Sequence, residues 1–122
     1  MIHARFIGRI RLEHIEPLMT AGDQMLAEND RLLVVIDADD VHAYDTEVRK
    51  VFQGWIRDRR SRLEGIWVLY RSPLLKMGLG LINAATNGAV RGFSDPGEFD
   101  TAVADATARA RAGEFRSASA VH

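Results

Sequence analysis

Two apolar runs, Leu32-Leu33-Val34-Val35-Ile36 and Ile66-Trp67-Val68-Leu69-Tyr70, constrain this chain more than any other feature. Neither alternates with polar residues, and both are rich in branched or aromatic side chains. A strand that is apolar at every position must be covered on both faces, which is the situation of a parallel strand inside an α/β sheet. Parallel neighbours cannot be joined by a tight turn, so each run demands a crossover segment, usually a helix.

The intervening chain supplies such segments. From about Leu12 to Asn29, the residues Ile15, Leu18, Met19, Met25 and Leu26 recur at helical spacing. Tyr44, Val48, Val51, Phe52, Trp55, Ile56 and Leu63 form a second stripe, opposed by Arg49, Lys50, Arg57, Asp58 and Arg60. Trp55 and Phe52 are therefore expected in the core. Ser72-Pro73 reads as a helix start, a hydroxyl cap followed by proline at the first helical position, and Asn87-Gly88 as the stop. Residues 3–8 and Ala89–Phe93 read as shorter strands. Asp95-Pro96-Gly97-Glu98 resembles a capping box ahead of a last helix with Phe99, Val103, Ala106 and Ala110 inside. Asp37 to Asp45 is expected to be a polar loop. Four strand–helix units in succession predict an α/β fold with a mainly parallel four-stranded sheet and right-handed crossovers. No linker or repeat interrupts it, so one domain is expected over 1–112, with 113–122 a flexible tail.

Bulk properties narrow the function classes. The 16 Lys+Arg against 17 Asp+Glu give a net charge of −1, with no global pull toward nucleic acid or an anionic membrane. The absence of cysteine excludes disulfides and thiolate chemistry and fits a cytoplasmic setting. No apolar run approaches the ~20 residues of a membrane-spanning helix. The longest, Leu74 to Ala85, contains Lys76 and Asn83. Met1 to Arg9 carries charge too often for a signal peptide, so a soluble protein is expected.

Ligands on such sheets meet the loops at the carboxyl ends of the strands, here 37–45, 71–73 and 93–95. Asp37, Asp39, Asp40, His42 and Asp45 are hard ligands dense enough to suggest Mg²⁺, Ca²⁺ or a general base. They lack the glycine hinge and terminal Glu of a calcium loop. The simpler reading has Asp45 capping a helix, Asp37 in an ion pair and the others solvated. Arg71, Ser72 and Lys76 stand at the mouth of the third helix, where an anion would be welcome. Alternatively, Arg71 pairs with Asp37 while Ser72 caps. Arg57 to Arg62 reads as solvated charge at a helix C-terminus. His3, His14, His42 and His122 show no ligand spacing, and no Ser/His/Asp set or glycine-rich phosphate loop is present. No catalytic residue, metal or cofactor is expected.

The third helix is different. Leu74, Leu75, Met77, Leu79, Leu81 and Ile82 make it apolar nearly all round, and Gly78 and Gly80 suggest close approach by a backbone or ligand. Leu74, Leu75, Met77 and Leu79 are expected to meet a second subunit or an apolar ligand.

Leu33-Val34-Val35-Ile36-Asp37, then Val41, then Tyr44-Asp45-Thr46 opening a helix resembles the STAS domains, the fold of the anti-sigma-factor antagonists. Tyr44-Asp45, Arg49, Trp55, Leu69-Tyr70-Arg71-Ser72 and Lys76-Met77-Gly78 look like the bacterial SpoIIAA-like proteins of STAS/SEC14 type, across roughly residues 6 to 104. The resemblance implies a SpoIIAA-like superhelix of four β-α units. It also implies a non-enzymatic regulatory or protein-interaction module, and the apolar third helix adds the expectation of a homo-oligomer, a dimer. Thr46 takes the place of the serine that a partner kinase phosphorylates in the antagonists, followed here by Glu47-Val48 rather than Ser-Gly. The SEC14-like side of the resemblance implies the alternative, a carrier or sensor of a lipid or other small apolar ligand. The surface expected to meet a partner or ligand comprises Asp45, Arg71, Ser72, Leu74, Leu75, Lys76, Met77 and Leu79.

Overall fold

The two unalternating runs lie side by side at the centre of one sheet, Val34 beside Ile66 and Ile36 beside Val68. In this computed structural model the elements are β1 (Ile2–Ile10), α1 (Leu12–Glu28), β2 (Leu32–Tyr44), α2 (Thr46–Asp58), a 3-10 turn (Arg60–Arg62), β3 (Leu63–Tyr70), α3 (Pro73–Ala85), β4 (Val90–Phe93) and α4 (Pro96–Val121). Residues 1–111 are described in full, together with the backbone of α4, so the tail expected over 113–122 lies outside the fully described residues. The strands stand in the order β1-β2-β3-β4, and every neighbouring pair is parallel.

Stepping across a sheet in one direction with right-handed crossovers places all the connecting helices on the same face. That is where α1, α2 and α3 sit. Their core uses Leu32, Val34, Ile36 and Ala38 of β2 with Ile66 and Val68 of β3, while Leu33, Val35 and Leu69 point the other way. There they pack with Phe93, Phe99 and Ala106 beneath α4. The absence of alternation in β2 and β3 thus reflects a sheet buried on both sides.

Trp55 and Phe52 are buried as expected, at 7% and 6% exposure, with their rings stacked. The indole N–H of Trp55 donates to Asp23 of α1, and Arg59 lies over the ring while pairing with the same Asp23. Gly22 of α1 leaves the space that the indole fills, since a Cβ there would lie 2.6 Å from Cζ2 of Trp55. Ser72 also acts as read, its hydroxyl accepting the Leu74 N–H.

Two expectations need correcting. Residues 37–44 are not a loop: β2 continues to Tyr44, pairing Asp37 with Arg5, Asp40 with Ile7 and Tyr44 with Ile10 through two register shifts. Val41 is buried at 2% exposure and anchors this extension, and Asp37 and Asp40 along it face Arg5 of β1. Nor is the basic stretch simply solvated. Arg60 donates to the carbonyls of Thr86 and Asn87 at the end of α3. Arg62 donates to Leu26, Asn29 and Asp30 at the end of α1. These arginines close the C-termini of two other helices, whose last carbonyls lack intrahelical partners.

Candidate functional site

The carboxyl end of the sheet brings Asp37, Asp39, Asp40 and Asp45 into ion pairs with Arg5, Arg9 and Arg71. Asp45 holds the N-cap position of α2, but its carboxylate accepts the Arg9 Nε–H at 2.7 Å and makes no cap, contrary to expectation. Arg71 donates to Asp39 at 2.7 Å, not to Asp37. The register explains the change: Ala38 lies opposite Tyr70, which sets Asp39 level with Arg71. Asp37 instead accepts the backbone N–H of Asp39 and lies 4.0 Å from Arg5, whose strongest partner is Asp40 at 2.7 Å. The hydrogen bond and charge of Asp40 raise the pKa of Arg5. Among the described residues no group of three His, Cys, Asp or Glu side chains is placed to hold a metal ion. The mouth of α3 is likewise occupied, because Ser72 takes the Leu74 N–H that an anion would need. Lys76 is exposed in the next turn.

What remains open is apolar. Leu74, Met77 and Leu81 of α3 are 43%, 63% and 48% exposed, at i, i+3 and i+7, so they share one side of the helix. Leu75 is 4% exposed and Ile82 6%, and both belong to the core. The grouping of Leu75 with surface residues is therefore corrected, for it reaches an outside group only as a wall of the cavity described next. Leu79 is half-buried.

Between α2, α3 and the sheet lies a half-open cavity of about 70 Å³, walled by Phe6, Ile36, Tyr44, Phe52, Leu75 and Leu79 among others. Its lining is apolar, and Arg49 of α2 contributes to it by its aliphatic stem. Gly78 borders the same space. The close approach expected at this glycine is made by Tyr44 of the same chain, whose ring and hydroxyl would clash with any Cβ there. A Cβ added at Gly80 would meet nothing within 4 Å. The cavity was not foreseen from the sequence; a glycine in the midst of an apolar helix was its one visible sign. Thr46 is exposed at the first position of α2.

No family model matches this sequence. No curated protein matches it either. The chain does match, at a TM-score of 0.57, the crystal structure of an uncharacterized protein of the DUF3478 family from Shewanella loihica PV-4, described as having a SpoIIAA-like fold. The fold is SpoIIAA-like. The likeness covers 78% of each chain at 15% sequence identity, which carries the architecture and not the activity. In this SpoIIAA-like frame, the strand–helix junctions after β2 and β3 hold the ion pairs, and the apolar cavity lies between the two helices that follow them.

Proposed function

We propose that this chain is a non-enzymatic protein-interaction module that meets its partner through α3. The observation that carries this reading is the row Leu74, Met77 and Leu81, three large apolar side chains exposed along one side of a single helix. Single exposed leucines are ordinary, but apolar side chains aligned on a helix are the usual material of a helix-mediated contact. The pairing of the strand-end carboxylates with Arg5, Arg9 and Arg71 supports binding rather than proton-transfer chemistry. A second copy of the chain is the first partner to test. In sedimentation and native mass spectrometry the wild type is expected to associate, whereas Leu74→Glu/Met77→Glu stays monomeric with an unchanged fold. A wild type that is monomeric and brings down no protein would overturn the reading.

Thr46 is the position at which such contacts would be switched. A phosphate there would add about −1.5 to −2 charges at the first turn of α2, where free N–H groups and Arg49 one turn on would receive it, against the repulsion of Glu47. Thr46→Glu and Thr46→Ala are expected to differ in partner binding; identical profiles would remove the switch.

A second reading, carriage of a small apolar ligand, is favoured by the cavity. At about 70 Å³ it has about half the volume of the ~150 Å³ cavity that takes up benzene. An acyl chain would enter only if α2 and α3 parted. Native mass spectrometry from non-denaturing buffer would reveal a retained ligand.

A further inference from the structure

We infer that the cavity between α2 and α3 is a socket for one leucine-sized side chain of a partner peptide, with a carboxylate next to it held by Arg49. This deepens the interaction reading above and rests on it. Size comes first. A space of about 70 Å³ with apolar walls is too small for a lipid chain, and it suits the terminal methyls of one branched aliphatic side chain, whose stem stays in the half-open mouth. The cavity is half-open, so such a group can enter by its end while its backbone stays outside.

The second observation is charge. Among the described residues the ion pairs are made by Arg5, Arg9, Arg11, Arg59 and Arg71. Arg49 is in none of them, although it is half-buried and its stem forms part of the cavity wall. A guanidinium carried on an apolar stem at the rim of an apolar hole presents a cation beside the place where a hydrophobic group would enter. The complementary ligand is an apolar side chain with an acidic group next to it, either a neighbouring Asp or Glu or the chain's own terminal carboxylate. Pockets that accept a single buried side chain are also where interface energy concentrates. The exposed Leu74 and Met77 lie on the same helix as the cavity wall residues Leu75, Gly78 and Leu79, so one partner segment can use both.

Small probes separate the parts of this inference. Methyl NMR of the full chain would be recorded with N-acetyl-leucine, N-acetyl-leucinamide, N-acetyl-alanine and decanoate. N-acetyl-leucine is expected to shift the methyl signals of Ile36, Leu75 and Leu79 at millimolar concentration, while N-acetyl-alanine leaves them in place. The amide should bind about two- to fivefold more weakly, the size of a solvent-exposed ion pair. Arg49→Gln, checked for an unchanged thermal transition, should erase that difference. Leu79→Phe, checked for an unchanged thermal transition, should fill the socket and abolish the shifts. Equal binding of N-acetyl-leucine and its amide to the wild type would overturn the role of Arg49. Decanoate binding in preference to every leucine derivative would overturn the side-chain socket in favour of a lipid site. If no probe moves these methyls while Leu74→Glu/Met77→Glu still abolishes association, the socket falls and the interaction reading stands.

Discussion

A methyl group added at Gly78 would run into the ring and hydroxyl of Tyr44, whereas one added at Gly80 would meet nothing within 4 Å. Both glycines weaken α3 relative to alanine by roughly 1 kcal/mol through backbone entropy. Opposite outcomes follow from this difference in surroundings. Gly80→Ala is expected to stabilise the protein by about 0.5–1 kcal/mol in urea denaturation. Gly78→Ala must displace Tyr44, and overpacking of this kind costs about 1–3 kcal/mol, which outweighs the propensity gain. A stabilised Gly78→Ala would show that Tyr44 yields freely and that the cavity wall is soft. Trp55 offers a second test at this scale. Its ring stacks on Phe52 and its N–H reaches Asp23, so Trp55→Ala should cost about 3–5 kcal/mol. Trp55→Phe keeps most of the apolar area and loses the hydrogen bond, which leaves Asp23 to Arg59 alone.

Among the elements, the stretch after α2 shows best what local pattern conveys and what it hides. Arg57 is exposed in the last turn of α2, and its neighbours Arg60 and Arg62 look equally solvent-bound in the sequence. Yet Arg62 donates to three carbonyls at the end of α1, at 2.6 to 3.2 Å. Arg62→Ala is expected to cost about 1–2 kcal/mol, since charged donors to otherwise orphaned carbonyls are among the stronger hydrogen bonds. Arg57→Ala should fall within about 0.5 kcal/mol of wild type. Equal effects would reduce the capping role of Arg62 to surface charge. The same limit explains the missed half of β2. Asp37, Asp39, Asp40 and His42 have loop-like chemistry, and local periodicity cannot register that Arg5, more than thirty positions earlier, stands opposite to pair with Asp37 and Asp40, or that Arg71 pairs with Asp39. The buried runs in β2 and β3, the Ser72 cap and the middle of the α2 stripe (Val48, Phe52, Trp55 and Ile56) were legible because each depends on residues close in sequence. Tyr44 and Leu63, assigned to that stripe by spacing, belong instead to β2 and β3, and Val51 is 37% exposed.

For the molecule as a whole, the order β1-β2-β3-β4 commits three helices to one face of the sheet and makes α3 the last of them, between the core and solvent. Its sequence is apolar on nearly every side, and composition alone could not say which leucines belong to which environment. The cavity was equally hidden, because its walls come from β1, β2, β3, α1, α2 and α3 and exist only once those are assembled. The structure divides the helix sharply: Leu75 is 4% exposed and Leu81 48%. A carboxylate placed at each should therefore act in different ways. At Leu75 it would be buried among apolar neighbours, a cost of several kcal/mol that a domain of about 5–15 kcal/mol total stability cannot absorb easily. Leu75→Glu is expected to abolish the cooperative thermal transition or lower it severely. At Leu81 the same group would stay in water in the isolated chain, so Leu81→Glu should melt within a few degrees of wild type. Any loss it causes should appear only in association, where the charge would be desolvated against the partner. Circular dichroism of both variants, with sedimentation of Leu81→Glu across a concentration series, measures the two effects separately. If Leu81→Glu unfolds as Leu75→Glu does, the exposed row is core and α3 has no free face. If it folds and associates like wild type, the contact runs elsewhere on the molecule.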